Sequence, residues 1–181
     1  VAAPFGRVLG GGVEFCMHCH RVQAHADVNM GLVETSVGLV PSGGGMKEAV
    51  LRTMAPAQGV TWPYFIMQRS FLAITMAKTG SSAWEAFDLG YLREGDGVTL
   101  NRESLIYAAK RVALGMLESG WQPPIPVKVK VMGDDGLGNF RCLLDNTLES
   151  GFISAHDNYL SSKVAWVLSG GEVEINAEVD E

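Results

Sequence analysis

At 181 residues, with 47% hydrophobic and only 19% charged side chains, the chain is long enough to bury a core and too apolar to be disordered. A formal net charge of −6 excludes a general nucleic-acid surface but leaves room for an anionic small molecule held by a few local cations. Three cysteines cannot all pair, so no secretory disulfide framework is expected, and no run reaches the ~20 apolar residues of a membrane helix.

In chain order, residues 1–8 predict a strand entering the turn Gly10-Gly11-Gly12. Val13, Cys16, Met17 and Cys19 then predict a buried helix over residues 12–20, and residues 21–26 a short returning strand. Residues 41–45 (Pro41-Ser42-Gly43-Gly44-Gly45) read as a loop, with a helix over 46–54 whose N-terminus sits on it. Trp62-Pro63 marks a helix start with proline in the first turn, and the helix runs toward Lys78. A short helix over 83–89 follows. Asn101 then caps a long amphipathic helix with Leu105, Ile106, Ala109, Val112, Ala113 and Leu117 on one side and Gly120 as its stop.

From Gln122 the texture changes. Pro123, Pro124 and Pro126 stiffen a connector, and Val127, Val129 and Val131 alternate with Lys128 and Lys130 as in a strand. Two helical runs follow, over 137–148 and 154–168, with Ser154 and Asp157 as a capping pair and Gly170-Gly171 as the close of the second. The expected organisation is a core over residues 1–121 and a proline-led, two-helix extension over 122–181. The chain opens on Val1-Ala2-Ala3-Pro4 with neither an initiator Met nor a basic leader, which predicts a cytoplasmic piece of a longer protein, beginning inside a strand.

Residues 9–34 carry the chemistry. Consecutive glycines let another group approach the backbone amides, and a following helix aims its free N–H groups at the same spot. Glu14 stands two residues after those glycines, and Glu34 follows Gly31-Leu32-Val33. Donors for a developing oxyanion beside carboxylates that move protons suit an enzyme.

At these residues the chain resembles a known family. Gly10-Gly11-Gly12-Val13-Glu14, Gly31-Leu32-Val33-Glu34 and Gly38-Leu39-Val40-Pro41-Ser42-Gly43-Gly44-Gly45 are similar, in order and spacing, to the enoyl-CoA hydratase/isomerase (crotonase) superfamily. The stretch Ala86-Phe87-Asp88-Leu89-Gly90-Tyr91-Leu92 and the tail through Ala155-His156-Asp157 look like the hydratase module of multifunctional 3-hydroxyacyl-CoA dehydrogenases. The resemblance implies an α+β fold, the crotonase-like ββα spiral, N-terminally incomplete here and with a helical C-terminal region. It implies syn addition of water to a 2-trans-enoyl-CoA in fatty-acid β-oxidation. Glu34 would protonate Cα, Glu14 would act as base, and Gly11 N–H would be an oxyanion donor. Gly10, Gly12, Gly31, Pro41 and Gly44 would complete the oxyanion and substrate-binding loops. CoA would arrive with the substrate, and NAD would be bound only by a separate dehydrogenase domain, since no Gly-x-Gly-x-x-Gly follows a strand here. The expected partners are an acyl-CoA and either further copies of the chain or that dehydrogenase domain. The upstream oxyanion loop would be missing, so residues 1–181 alone are expected to be inactive. A Δ3,Δ2-enoyl-CoA isomerase and a non-catalytic acyl-CoA-binding or assembly domain are the alternatives.

Other motifs carry less. Cys16-Met17-His18-Cys19-His20 matches the haem-attachment pattern, but two cysteines three apart on a buried helix are ordinary core, so neither haem nor metal is expected. No Gly-Lys-Ser/Thr follows Gly45, which excludes a P-loop. Phe65, Met67, Phe71, Leu72, Ile74 and Met76 could line an acyl tunnel, though core packing or a subunit interface explains them better. Lys47, Arg69 and Lys78 are the cations that could meet CoA phosphates.

Overall fold

The computed structural model describes residues 1–54 and 63–180. Its N-terminal part is built on parallel pairs. Strand β1 (Arg7–Leu9) runs into helix α1 (Gly11–His18), and the chain returns as β2 (Gln23–His25) and β3 (Asn29–Gly31). β3 lies parallel to β1, with Val8 opposite Met30 and Leu9 opposite Gly31. β2 lies parallel to β4 (Gly97–Thr99), and Ala2 bridges to Val22. The strand expected over residues 1–8 is thus two short pieces separated by Gly6 at φ 61°.

A four-residue 3-10 turn (Glu34–Val37) and the Pro41–Gly45 loop lead into α2 (Gly45–Met54). Next come α3 (Tyr64–Thr75) and α4 (Ala83–Asp88). Pro63 caps α3 rather than occupying its first turn, and Trp62 lies outside the described residues. α3 stops well short of Lys78, because Ala77 takes a left-handed φ of 47° that no α-helix continues. A second 3-10 turn (Arg102–Ser104), capped by the Asn101 side chain, feeds α5 (Leu105–Glu118). Only Leu105 and Ala109 of α5 are buried; Ile106 and Leu117, expected on the covered side, face out.

The C-terminal part is a second small layer. β5 (Lys128–Lys130) pairs antiparallel with β6 (Glu178–Asp180), which has no sequence signal of its own. Between them stand α6 (Gly133–Glu149) and α7 (Ala155–Leu168). α6 begins four residues before the expected start, because Gly133 at φ 58° turns the chain directly off β5. Leu137, Phe140 and Leu144 of α6 and Leu160, Val164 and Leu168 of α7 bury one face each, at helical spacing. These faces meet Met67, Phe71 and Ile74 of α3, with the Phe71 and Phe140 rings stacked at 4.4 Å, so both parts share one core. Core packing, preferred together with a subunit interface over an acyl tunnel, therefore accounts for half of that apolar run, while Phe65 and Met76 are exposed. No helix among the described residues is long and apolar enough to cross a membrane.

Candidate active site

The site is organised by the turn from β1 into α1. Gly10 sits at φ 54° with its N–H bonded to Gly31 O at 2.8 Å, which ties the turn to β3. Val13 and Glu14 N–H both reach Gly10 O, so α1 closes its first turn without a side-chain cap. Gly11 and Gly12 are exposed, and their amides find no acceptor among the described residues. Free N–H groups at a helix start are the donors that an oxyanion requires. Gly10 is not such a donor, since its N–H is spent on Gly31. Gly31 serves packing instead: a Cβ there would lie 2.8 Å from Lys78 O and 2.7 Å from Thr79 Cγ2.

Glu14 lies on the inner side of α1, 6% exposed. Its Oε1 accepts the Gly45 N–H at 2.9 Å, and Oε2 occupies the space that a side chain at Gly43 would need. The glycines of the Pro41–Gly45 loop are therefore a seat for this carboxylate. Pro41 itself is buried. Gly44 faces another group: a Cβ there would stand 2.8 Å from His18 Nε2. His18 is held by Nδ1 against Glu14 O at 2.8 Å, and its Nε2 lies 3.9 Å from Glu48 Oε1.

Glu34 arrives from the other side. Its Oε1 rests on Gly10, 2.8 Å from where a Cβ would be, and the φ of 54° at Gly10 favours glycine in the turn beneath it. Its Oε2 is buried and has no hydrogen-bond partner among the described residues. Burial pushes this carboxyl above its ordinary range. The nearby Glu14 charge adds to the rise, while the amides of Glu34 and Val33 oppose it. A buried, partnerless acid oxygen favours the protonated form and is expensive to keep in an ordinary core.

The structure thus brings together Glu14, Glu34, Gly10, Gly11, Gly12 and the Pro41–Gly45 loop, and leaves Gly31 as strand packing. Sequence reasoning missed Gly43 and Gly45 as contacts of Glu14, although both were in the quoted motif. It also missed the buried hydroxyls of Thr35 and Tyr91 on either side of Glu34, for which spacing gives no signal. Cys16 is core, its thiol pushed up to about 11 by burial. Cys19 lies beyond the end of α1, extended and half-buried, so the two cysteines do not share a helix as expected.

A large cavity of about 1940 Å³ is not at these carboxylates. It opens past the C-terminal end of α1 and is lined by Met17, His18, Lys47, Arg52, Arg69 and Arg93 among others. Lys47 is paired with Glu48 at 3.1 Å and Arg69 with Asp88 at 3.7 Å, while Lys78 is exposed and lies away from this space.

No family model matches the chain. It is 41% identical over its full 181 residues to a probable 3-hydroxyacyl-CoA dehydrogenase of Bacillus subtilis, of which it covers 23%. Over 57 residues it is 40% identical to the human peroxisomal bifunctional enzyme, which is 32% of this chain and 8% of that one. Among solved structures, a putative enoyl-CoA hydratase of Thermobifida fusca in complex with CoA superposes with a TM-score of 0.51 at 17% identity. That match covers 91% of this chain and 51% of the other. The chain therefore spans about a quarter of the Bacillus relative and about half of the Thermobifida one.

Proposed function

We propose, for a chain that has the crotonase-like fold, that it forms the hydrating part of a multifunctional 3-hydroxyacyl-CoA dehydrogenase and adds water across the double bond of a 2-trans-enoyl-CoA. The observation that carries this reading is that Glu14 and Glu34, from separate segments, come close enough to feel each other's charge beside the turn that opens α1, Glu34 resting on Gly10 and Glu14 held by the Pro41–Gly45 loop. Glu34, whose carboxyl holds its proton above the usual range, gives that proton to Cα. Glu14, held at one oxygen by Gly45 N–H, takes a proton from the water that attacks Cβ. Charge that builds on the thioester oxygen meets Gly11 N–H. One proton leaves an acid and one returns to a base, so the net change is addition of one water.

The test is made in the full-length protein with crotonyl-CoA, by loss of the conjugated-thioester absorbance. Glu14→Gln and Glu34→Gln keep shape and hydrogen bonding but remove proton transfer, and each should lower kcat by about 10²–10⁴-fold. The double variant should be only slightly worse than the weaker single, because the two groups act as a unit. An isomerase would lose activity with Glu34→Gln alone, and a binding domain would respond to neither. Survival of hydration within about tenfold in both single variants defeats the two-carboxylate reading. In the same proposal the dehydrogenase step and its NAD belong to another domain of the longer, cytoplasmic protein.

A further inference from the structure

No other side chain aims the carboxyl of Glu34: its Oε2 has no hydrogen-bond partner among the described residues and the only amides acting on it are those of Val33 and Glu34, so its direction is inherited from the backbone that carries it. That backbone is clasped on both sides by buried hydroxyls. Upstream, Leu32 N–H donates to Tyr91 Oη at 3.3 Å, and the Tyr91 hydroxyl donates to Lys78 O at 3.0 Å. Downstream, Thr35 Oγ1 donates to Ile74 O at 2.8 Å. Both acceptors lie at the exit of α3, where Lys78 N–H in turn bonds Ala73 O at 2.8 Å. The Tyr91 residue is 2% exposed, so no water replaces its phenol.

The clasp also reaches the other carboxylate. Arg52 donates through Nη1 to Tyr91 O at 2.9 Å and through Nη2 to Met17 O at 2.6 Å. Met17 belongs to α1, the helix that carries Glu14. A continuous path therefore runs from α1 through Arg52 and Tyr91 to the strand end that leads into Glu34.

We propose that Tyr91, assisted by Thr35, is the positioning residue that sets Glu34 against Glu14 and Gly10, its phenol locking the Leu32–Glu34 backbone to the exit of α3. This rests on the hydratase reading for its kinetic consequence, but not for its geometry. The charged group that faces Glu34 from the packed elements is Glu14 of α1, and Tyr91 is the neutral group. Neither Tyr91 nor Thr35 need touch substrate.

The experiment compares Tyr91→Phe, Thr35→Val and Thr35→Ser with the parent in the full-length protein, with Ser161→Ala as a buried-hydroxyl control in α7. Tyr91→Phe and Thr35→Val should lower kcat for crotonyl-CoA by about ten- to a hundredfold while KM stays within about twofold. The basic limb of the pH profile, where Glu34 loses its proton, should move to lower pH as solvent reaches the carboxyl. Thr35→Ser, which keeps the hydroxyl, should restore the parent values, and Ser161→Ala should leave kcat and the limb alone. Independently of activity, labelling by a water-soluble carbodiimide and an amine, read by mass spectrometry, should speed up at Glu34 in Tyr91→Phe but not at Glu14. Unchanged kcat, pH limb and labelling in Tyr91→Phe overturn the proposal, even where Glu34→Gln is inactive. If the parent shows no hydration at all, the hydratase reading fails, and the labelling ratio alone decides the clasp.

Discussion

Glycine does different work at the two ends of this molecule. At two positions of the N-terminal part it makes room for carboxylates: a Cβ at Gly10 would meet Glu34, and one at Gly43 would meet Glu14. At Gly133 in the C-terminal layer it makes room for backbone: a Cβ there would lie 2.6 Å from Glu174 O and also strike Val173 O. The far end of a glutamate can swing aside, whereas a packed carbonyl cannot. Gly43 therefore guards chemistry at little cost to folding, Gly10 adds a left-handed φ of 54° that itself disfavours a side chain, and Gly133 guards folding alone.

Buried polar atoms without a partner occur in both regions, Asn158 Oδ1 and Ser169 Oγ in the C-terminal layer among them, but the carboxylates differ. Ser154, the N-cap of α7, and Asp157 complete a reciprocal capping box, Asp157 Oδ2 accepting from Ser154 N–H and Ser154 Oγ accepting from Asp157 N–H. Glu34, by contrast, leaves a buried oxygen without a partner, a violation that ordinary packing does not explain. The two regions nonetheless share one core through Phe71 and Phe140.

The largest effect that would sharpen this division is on stability. Phe140→Ala removes a fully buried ring stacked between α3 and α6, and should cost about 3–5 kcal/mol in chemical denaturation. The remaining folded protein should keep its kcat. A kcat that falls with stability would merge the two regions into one functional unit.

Next in size is Gly43→Ala. Its new methyl displaces the Glu14 carboxylate rather than backbone, so hydration should fall on the order of 10²-fold with the melting temperature nearly unchanged. Equal loss of activity and stability would show that the loop, not the carboxylate, gave way.

Ser154→Ala is smaller. Loss of this N-cap should cost about 1 kcal/mol and leave turnover untouched. Asp157, held below its usual range by the Ser154 hydroxyl and amide, contributes stability present above its unfolded pKa and lost as pH falls through the folded one. The difference between parent and Ser154→Ala should therefore shrink in acid.

Glu34 carries the opposite sign and the smallest effect. Its folded carboxyl binds a proton more tightly than the unfolded one, so the stability linked to that proton is present in acid and lost as pH rises through the raised value. Glu34→Gln should thus be at least as stable as the parent at neutral pH, with the gap closing as pH drops into the carboxylate range. A Glu34→Gln variant that melts lower at every pH would make Glu34 a structural group and erase the contrast with Asp157.

The sequence by itself determined the crotonase-like α+β fold, the turn into α1, the capping box of α7 and the stops at Gly120 and Gly170-Gly171. The fold was read from the motifs' resemblance to a family, whereas the turn, the capping box and the stops rest on contacts within a few residues, where glycine freedom, helical period and capping chemistry act on neighbours. It also marked Glu14 and Glu34 as the pair to examine, through motif order. Only the tertiary structure decided what surrounds them. The seat of Glu14 is formed by glycines some thirty residues on, and the clasp on Glu34 joins Leu32 to Tyr91, a separation of 59 residues. The facing of α5 was decided in the same way, its apolar stripe partly exposed because little but β2 lies beside it. Short strands such as β4 and β6 carry no pattern long enough to read. They exist because partners distant in sequence supply their hydrogen bonds, and local physics has no means of announcing such a partner.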